Sequence, residues 1–237
     1  MEYTFDRIQA AVAAIYPEIE RTAMAGHAPL CEEQLWHELT CCILSSQVPY
    51  SLAQAAADRV NGHRILTPLH GLDAEGCERA LRSLLGGAFV IEGRERRYRF
   101  PNSKARQLSQ TRSSVVQSFG TLSAALSELG DAEVTRRWLV ENAPGLGPKQ
   151  ASMFLRNCRG AYDLAIIDRH VLTYMEMAGL CRSDAPVPAR YAGYIEYELI
   201  LKSHSRAKGY MLGLFDYAVW IVMRIVARKE IAEGQAA

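Results

Sequence analysis

Two residues of this sequence, a lysine and an aspartate, are the best suited to carry chemistry. Lys149 lies in the first turn of a predicted helix, directly after a turn rich in glycine and proline. The partial positive charge of a helix N-terminus disfavours a cation there and so favours the neutral amine, which can attack carbon and form a Schiff base. Asp168 follows the apolar run Leu164–Ile167. It could orient this nucleophile and stabilise positive charge on the substrate.

The turn before Lys149 has the composition of an anion site. Gly145 and Gly147 are expected to allow positive φ angles and to leave the backbone uncovered. A hairpin between two helices can present consecutive N–H groups beside a helix N-terminus, and this arrangement suits a DNA phosphate without reading base sequence. Each catalytic candidate also has a plainer interpretation. Lys149 alone could be a surface phosphate contact, and Asp168 alone could be the N-cap of the next helix.

The charge of the chain is unevenly distributed. Its 237 residues carry a formal net charge of +1, with 49% hydrophobic and 22% charged residues, which excludes a disordered chain. Residues 1–40 carry a local charge of −5, whereas residues 79–112 carry +7. This asymmetry suggests that one face of the protein attracts anions. The alternative is a solvated loop.

Helical periodicity repeats along nearly the whole chain and predicts an all-α fold. The predicted helices cover residues 5–22, 32–47, 50–60, 74–85, 103–118, 121–129, 131–142, 148–158, 168–178, 191–203 and 210–230. The main exception is 88–100, where residues that favour strands flank a glycine and predict a short hairpin. The stretch Leu164–Ile167 also looks extended, but it is too short to build a sheet.

Cellular location and metal chemistry are constrained by simple patterns. The N-terminal segment has no basic and apolar signal pattern, and charged residues interrupt the apolar stretch 210–226. These features predict a cytoplasmic protein with no membrane segment. Six cysteines without a CxxC pair are interpreted as small buried side chains, and no metal site is predicted.

The segments GLGPKQASMFLRN and AIIDRHV, which carry Lys149 and Asp168, resemble the helix-hairpin-helix DNA glycosylase superfamily. Within it they are most similar to the prokaryotic 8-oxoguanine DNA glycosylase/AP lyases of the second type. Weaker similarity extends to ELTCCILSSQ, to YRFPNSKARQL, and to Asp216 with Trp220. The resemblance implies that Lys149 is the Schiff-base nucleophile and Asp168 the catalytic carboxylate. His170 would help the glycine-containing turn to hold phosphate, and Arg96, Arg97 and Lys104 would contact DNA phosphates.

The resemblance also implies two helical lobes, with DNA and a flipped base in a cleft between them. Residues 31–160 would form a helical barrel that contains the helix-hairpin-helix, and residues 1–30 with 161–237 the second lobe. Gln47, at the polar end of a predicted helix, would fill the gap left by the flipped nucleotide. Asp216 and Trp220 are candidates for the base pocket. Their alternative is a core tryptophan with a buried partner.

The expected function is a bifunctional glycosylase/AP lyase that excises oxidised purine, 8-oxoguanine, from duplex DNA by base flipping and Schiff-base chemistry that nicks the strand. One alternative is a non-catalytic helix-hairpin-helix module that binds DNA. Another is a glycosylase for a different modified base, suggested by the basic tail at 221–237. The expected partner is double-stranded DNA with a damaged base, bound by a monomer associated with the nucleoid.

No cofactor is expected. The iron–sulfur branch of the superfamily carries four closely spaced cysteines after the aspartate, and only Cys181 follows Asp168. A structural cation at the hairpin is compatible with the resemblance.

Overall fold

The structure, a computed structural model, describes residues 4–26, 28–67, 71–188 and 190–234, with side chains described as far as residue 227. The described residues form eleven helices and one two-stranded hairpin, which confirms the predicted all-α fold. The helices are α1 Phe5–Met24, α2 Glu32–Leu44, α3 Tyr50–Gly62, α4 Ala74–Gly86, α5 Pro101–Phe119, α6 Leu122–Leu129, α7 Ala132–Asn142, α8 Pro148–Arg159, α9 Arg169–Met177, α10 Tyr191–Ala207 and α11 Leu212–Gly234. Every predicted helix is present, with ends that differ by a few residues.

The chain divides into two compact units. The hairpin unit is Ala28–Arg159 and contains α2 to α8. The terminal unit is Met1–His27 with Gly160–Ala237 and contains α1 and α9 to α11. The assignment of lobes on either side of a DNA cleft stays a prediction.

Helix α2 lies at the centre of the hairpin unit. Leu39, Cys42, Ile43 and Leu44 have no exposed surface, and α2 packs against α3 and α8. Full burial of consecutive residues explains why the apolar side chains of α2 are not confined to one stripe. The helix ends at Leu44, so the predicted polar end at 45–47 forms a turn that projects from the core.

The predicted strand hairpin is confirmed. Strand β1, Ala88–Ile91, pairs antiparallel with β2, Arg94–Arg97. The turn residues Glu92 and Gly93 have φ angles of 51° and 74°, as expected for a tight two-residue hairpin turn. We call this element the arginine hairpin, because β2 and the residue that follows Tyr98 supply four exposed arginines: Arg94, Arg96, Arg97 and Arg99.

Contacts with α3 and with the end of α2 hold the arginine hairpin in place. The Arg59 guanidinium lies 3.6 Å from the ring centroid of Phe89 and donates to the carbonyl of Ala88 at 2.6 Å. The Tyr98 hydroxyl donates to the carbonyl of Leu44 at 2.6 Å. These contacts set the position of the hairpin relative to the end of α2.

The terminal unit has its own apolar core. It includes Val12 of α1, Met175 of α9, Leu201 of α10 and Val219 of α11. No single helix among the described residues is long and apolar enough to cross a membrane; only the bent pair of α10 and residues 212–227 meets the length and composition criterion.

Candidate active site and nucleic-acid interface

Lys149 is carried by a helical hairpin, which consists of α7, the turn 143–147 and α8. The Gly147 carbonyl accepts from the Ala151 N–H at 3.0 Å, so Gly147 begins the hydrogen-bonded turn and Pro148 occupies the first helical position. Lys149 is half-buried in that first turn. Its ammonium makes no ion pair or hydrogen bond within the described residues. The amine is thus free to meet a substrate.

The two glycines of the turn are required for different reasons. Gly145 has φ 92°, and a Cβ there would lie 2.4 Å from Gln107 Oε1. The φ angle therefore demands glycine at 145, and the end of the Gln107 side chain would have to move to admit a Cβ. Gly147 does not have a positive φ, and its added Cβ would meet only the Gln150 amide oxygen at 3.2 Å. The predicted positive φ is correct for Gly145 and wrong for Gly147.

The turn leaves several backbone donors available. Within the described residues, the N–H groups of Gly145, Gly147 and Lys149 have no acceptor. The intervening N–H of Leu146 donates to the Ala143 carbonyl at 3.1 Å. The available donors are therefore not consecutive, and the prediction of consecutive N–H groups is wrong. Free N–H groups at a helix N-terminus form an anion site.

A buried arginine holds α7 and α8 together. Arg136 is completely buried; its guanidinium donates to Ser152 Oγ at 3.0 Å and pairs with the Glu133 carboxylate. At the other end of α8, the Asn157 amide donates to Glu38 of α2 at 2.7 Å. Both contacts fix the helix that carries Lys149.

Asp168 lies in the terminal unit, where it is the N-cap of α9. Its Oδ1 accepts from the Val171 N–H at 3.0 Å, which confirms the capping interpretation. Its other carboxylate oxygen makes no hydrogen bond within the described residues. Since capping occupies only one oxygen, it does not prevent a role in chemistry.

The residues before Asp168 form neither a helix nor a strand, and they have no neighbouring strand in the described residues. Buried side chains of α10 and α11 take the place of such a strand by accepting from three consecutive backbone N–H groups. The pairs are Ala165 N–H with Glu198 Oε1 at 2.7 Å, Ile166 N–H with the Asp216 carboxylate, and Ile167 N–H with the Tyr194 hydroxyl at 2.9 Å.

The predicted pocket residues therefore have different surroundings. Asp216 is 1% exposed and binds a backbone N–H, so its placement does not support the predicted base contact. Trp220 is half-buried. Its ring stacks on Tyr217 with centroids 5.9 Å apart, and the Arg224 guanidinium lies 4.8 Å from its centroid. Trp220 is thus part of an aromatic and cationic row along α11 and not a fully buried core residue.

His170 lies in the first turn of α9 and is half-buried. It makes no hydrogen bond or ion pair within the described residues. Its predicted phosphate contact stays a prediction.

Gln47 and the arginine hairpin line the same groove. Gln47 is exposed and has φ 59°, an uncommon conformation for a residue other than glycine. The groove has a volume of about 480 Å³, and the four arginines of the arginine hairpin also line it. The structure therefore brings together Gln47, Arg96 and Arg97, which the sequence suggested for separate reasons.

The other basic residues of segment 79–112 are either paired with another group or buried. Arg82 pairs with Glu78 at 2.6 Å, and the buried Arg112 donates to the Leu72 carbonyl at 3.0 Å. Lys104 is also buried, and this burial lowers the pKa of its ammonium. Its placement does not support the predicted phosphate contact. The four exposed arginines of the arginine hairpin make no ion pair within the described residues.

Burial raises the thiol pKa of five cysteines and so argues against their activation as nucleophiles: Cys41, Cys42, Cys77, Cys158 and Cys181. Cys31 is exposed, so the predicted burial is wrong for this residue. Burial raises the pKa of Cys41 to about 12 and raises that of Cys42 well above its ordinary value. The described residues contain no group of three or more histidine, cysteine or acidic residues that could hold a metal ion. The absence of a cofactor stays a prediction.

Several supporting residues were missed by sequence reasoning. Arg136, Tyr194 and Glu198 look like ordinary amphipathic helix residues, and their partners lie 16 to 33 positions away in sequence. No local pattern identifies them. Tyr217 and Arg224 could have been found, because their spacing from Trp220 places all three on one face of a helix.

Comparison with known proteins gives a consistent assignment. The family model described as 8-oxoguanine DNA glycosylase matches residues 26–210. An 8-oxoguanine DNA glycosylase/AP lyase of Sulfurisphaera tokodaii is 33% identical over 192 residues, which are 80% of this chain and 82% of that protein.

Two solved structures are similar over most of the chain. The 8-oxoguanine DNA glycosylase of Thermotoga maritima is 28% identical with a TM-score of 0.59, covering 91% of this chain and 89% of that one. The Methanocaldococcus jannaschii 8-oxoguanine glycosylase/lyase in complex with DNA containing 8-oxoguanine is 23% identical with a TM-score of 0.57, covering 91% and 88%, and shows a shared fold. The chain belongs to the helix-hairpin-helix 8-oxoguanine DNA glycosylase family.

Proposed function

We propose that this protein is a bifunctional 8-oxoguanine DNA glycosylase/AP lyase that acts on duplex DNA. The observation that carries the proposal is Lys149, which lies in the first turn of α8 beside backbone N–H groups and, like them, has no partner in the described part of the chain. A phosphate bound by those N–H groups would place the sugar-phosphate backbone next to the amine. Membership of the family supports the same activity.

In the proposed reaction the damaged nucleotide leaves the base stack, because the glycosidic carbon cannot be reached within the duplex. The neutral Lys149 amine attacks C1′ of the deoxyribose, and the bond to the base breaks with its electron pair leaving on the base. The free carboxylate oxygen of Asp168 stabilises the positive charge that develops on the sugar. Ring opening then gives a protonated Schiff base. Loss of a C2′ proton drives β-elimination of the 3′ phosphate and nicks the strand.

The arginine hairpin would provide the electrostatic part of DNA binding. Arg96 and Arg97 are exposed and make no ion pair with the residues that the structure describes, so they can replace counterions on phosphates. Gln47, in the same groove, is proposed to enter the space left by the flipped nucleotide. Trp220 is proposed to stack on the extruded base. Asp216 is better explained as an internal support.

A borohydride trapping experiment tests the proposal. Wild-type protein incubated with borohydride and a duplex containing one 8-oxoguanine should form a covalent complex. Borohydride reduces the Schiff base to a secondary amine, which does not hydrolyse. Lys149→Gln should bind the duplex but form no complex. Lys208→Gln, at an exposed lysine, is the matched control and should trap like wild type.

The other outcomes identify the alternatives. Binding without trapping on any damaged duplex would indicate a non-catalytic module. Trapping on a different lesion but not on 8-oxoguanine would indicate another substrate, as the tail suggested. Helix α11 continues to Gly234, so the tail is helical as far as that residue. Side chains from residue 228 onward and residues 235–237 lie outside the described part. The monomeric state and the nucleoid location stay predictions.

The salt dependence of binding tests the arginine hairpin. Arg96→Ala and Arg97→Ala should each reduce the slope of log K against log salt by about 0.9, the contribution of one phosphate contact. Arg82→Ala is the control, because Arg82 pairs with Glu78 and should leave the slope unchanged. Equal slopes for all variants, measured by fluorescence anisotropy, would remove the arginine hairpin from the DNA interface.

A further inference from the structure

The hydroxyl of Tyr194 makes two hydrogen bonds to the segment that ends at Asp168. It accepts from the Ile167 N–H at 2.9 Å and donates to the Ala165 carbonyl at 2.8 Å. Tyr194 is completely buried and lies in the first turn of α10. One side-chain oxygen thus bridges two backbone groups of the same short segment, as a neighbouring strand would.

We infer that Tyr194 is a positioning residue for Asp168, an inference that rests on the proposed function. Ile167 directly precedes Asp168, and the bridge from Ala165 to Ile167 restricts the backbone between them. On its other side, Asp168 is fixed by its bond to the Val171 N–H. The carboxylate is therefore held from both directions, with one oxygen left for chemistry.

Glu198 gives the segment a second point of support. It is 6% exposed, and its Oε1 accepts from the Ala165 N–H at 2.7 Å. Both backbone groups of Ala165 are consequently bonded to α10 side chains. Buried backbone groups that lose their partners cost free energy, so the segment would have to move to recover hydrogen bonds without these side chains.

The same unit contains a tyrosine that performs an equivalent structural task elsewhere. The Tyr16 hydroxyl accepts from the Met211 N–H at 2.9 Å, and Tyr16 is 3% exposed. It does not bond to the segment before Asp168. Tyr16→Phe is therefore a matched control for the loss of a buried tyrosine hydroxyl.

The test compares Tyr194→Phe with Tyr16→Phe at a temperature well below both melting points. Both should lower the melting temperature by a similar amount, about 2–6 °C. Only Tyr194→Phe should slow single-turnover release of 8-oxoguanine, by about 10- to 100-fold, because a small displacement of a reacting group has an effect of this size. The dissociation constant for the duplex should change by less than about twofold, since the change affects chemistry and not binding.

Equal single-turnover rates for the two variants would overturn the inference. A wild-type protein that cannot be trapped on any DNA would instead overturn the proposed function, so the two failures are distinguishable. A second pair of variants, at Glu198, tests the same inference independently of Tyr194→Phe. Glu198→Gln keeps an acceptor oxygen and should retain the wild-type rate, whereas Glu198→Leu should be slowed like Tyr194→Phe. Equal slowing by Gln and Leu would contradict the positioning role of the Glu198 oxygen.

Discussion

Lys149 is carried by two consecutive helices and a short turn, whereas Asp168 ends a segment that has no helix or strand of its own. The helical hairpin is held by Arg136 and Ser152, which belong to its own two helices. The Asp168 segment is held by side chains that follow it by about 30 to 50 positions in sequence. The position of the nucleophile is thus determined locally, and that of the carboxylate by the folding of a whole unit.

The largest effect expected within this comparison separates capping from chemistry at Asp168. Asn caps a helix about as well as Asp, so Asp168→Asn should preserve stability. Loss of the charge should slow 8-oxoguanine release by about a hundredfold or more. Asp131→Asn, at the N-cap of α7, is the control and should change neither rate nor stability. If Asp168→Asn lowers stability and rate together, the carboxylate acts mainly through the fold.

Alanine substitutions at the two glycines of the helical hairpin should lower its stability by different amounts. Gly145→Ala places an alanine at φ 92° and displaces the end of the Gln107 side chain, and we expect it to lower the free energy of unfolding by about 1–3 kcal/mol. Gly147→Ala meets only the end of a flexible side chain and should cost about 1 kcal/mol or less. Urea unfolding measures both. Similar losses would show that the turn does not depend on the conformation of Gly145.

Another stability measurement tests the connection between α7 and α8. Ser152→Ala removes the hydroxyl that accepts from Arg136, and an unsatisfied buried donor should cost about 1–3 kcal/mol of unfolding free energy. Ser203→Ala, at an exposed helical serine, should change stability by less than about 0.5 kcal/mol. No difference between the two would mean that the arginine does not stabilise the helical hairpin.

Features determined by neighbouring residues could be predicted from the sequence. The helices, the turn before Lys149 and the N-cap at Asp168 all follow from local periodicity, glycine, proline and capping residues. The strand hairpin was also predictable, because Glu92 and Gly93 separate two short runs that favour strands. Each of these elements is specified within about ten to twenty residues of chain.

Features that depend on distant partners could not be predicted. Lys104 and Arg112 look like surface charges in a basic segment, but the fold buries both. Asp216 looks like a pocket carboxylate beside Trp220, but the fold directs it to the Ile166 N–H. A charge count records residue types and not which side chains reach solvent, so only part of the basic segment forms the exposed arginine hairpin.

The central claim is that the Lys149 amine forms the covalent bond to DNA. After borohydride reduction of wild-type protein on an 8-oxoguanine duplex, nuclease and protease digestion followed by mass spectrometry identifies the modified residue. The account predicts that the reduced sugar adduct lies on Lys149, in the peptide that spans the turn and the start of α8. An adduct on any other amine, with Lys149 unmodified, would contradict it.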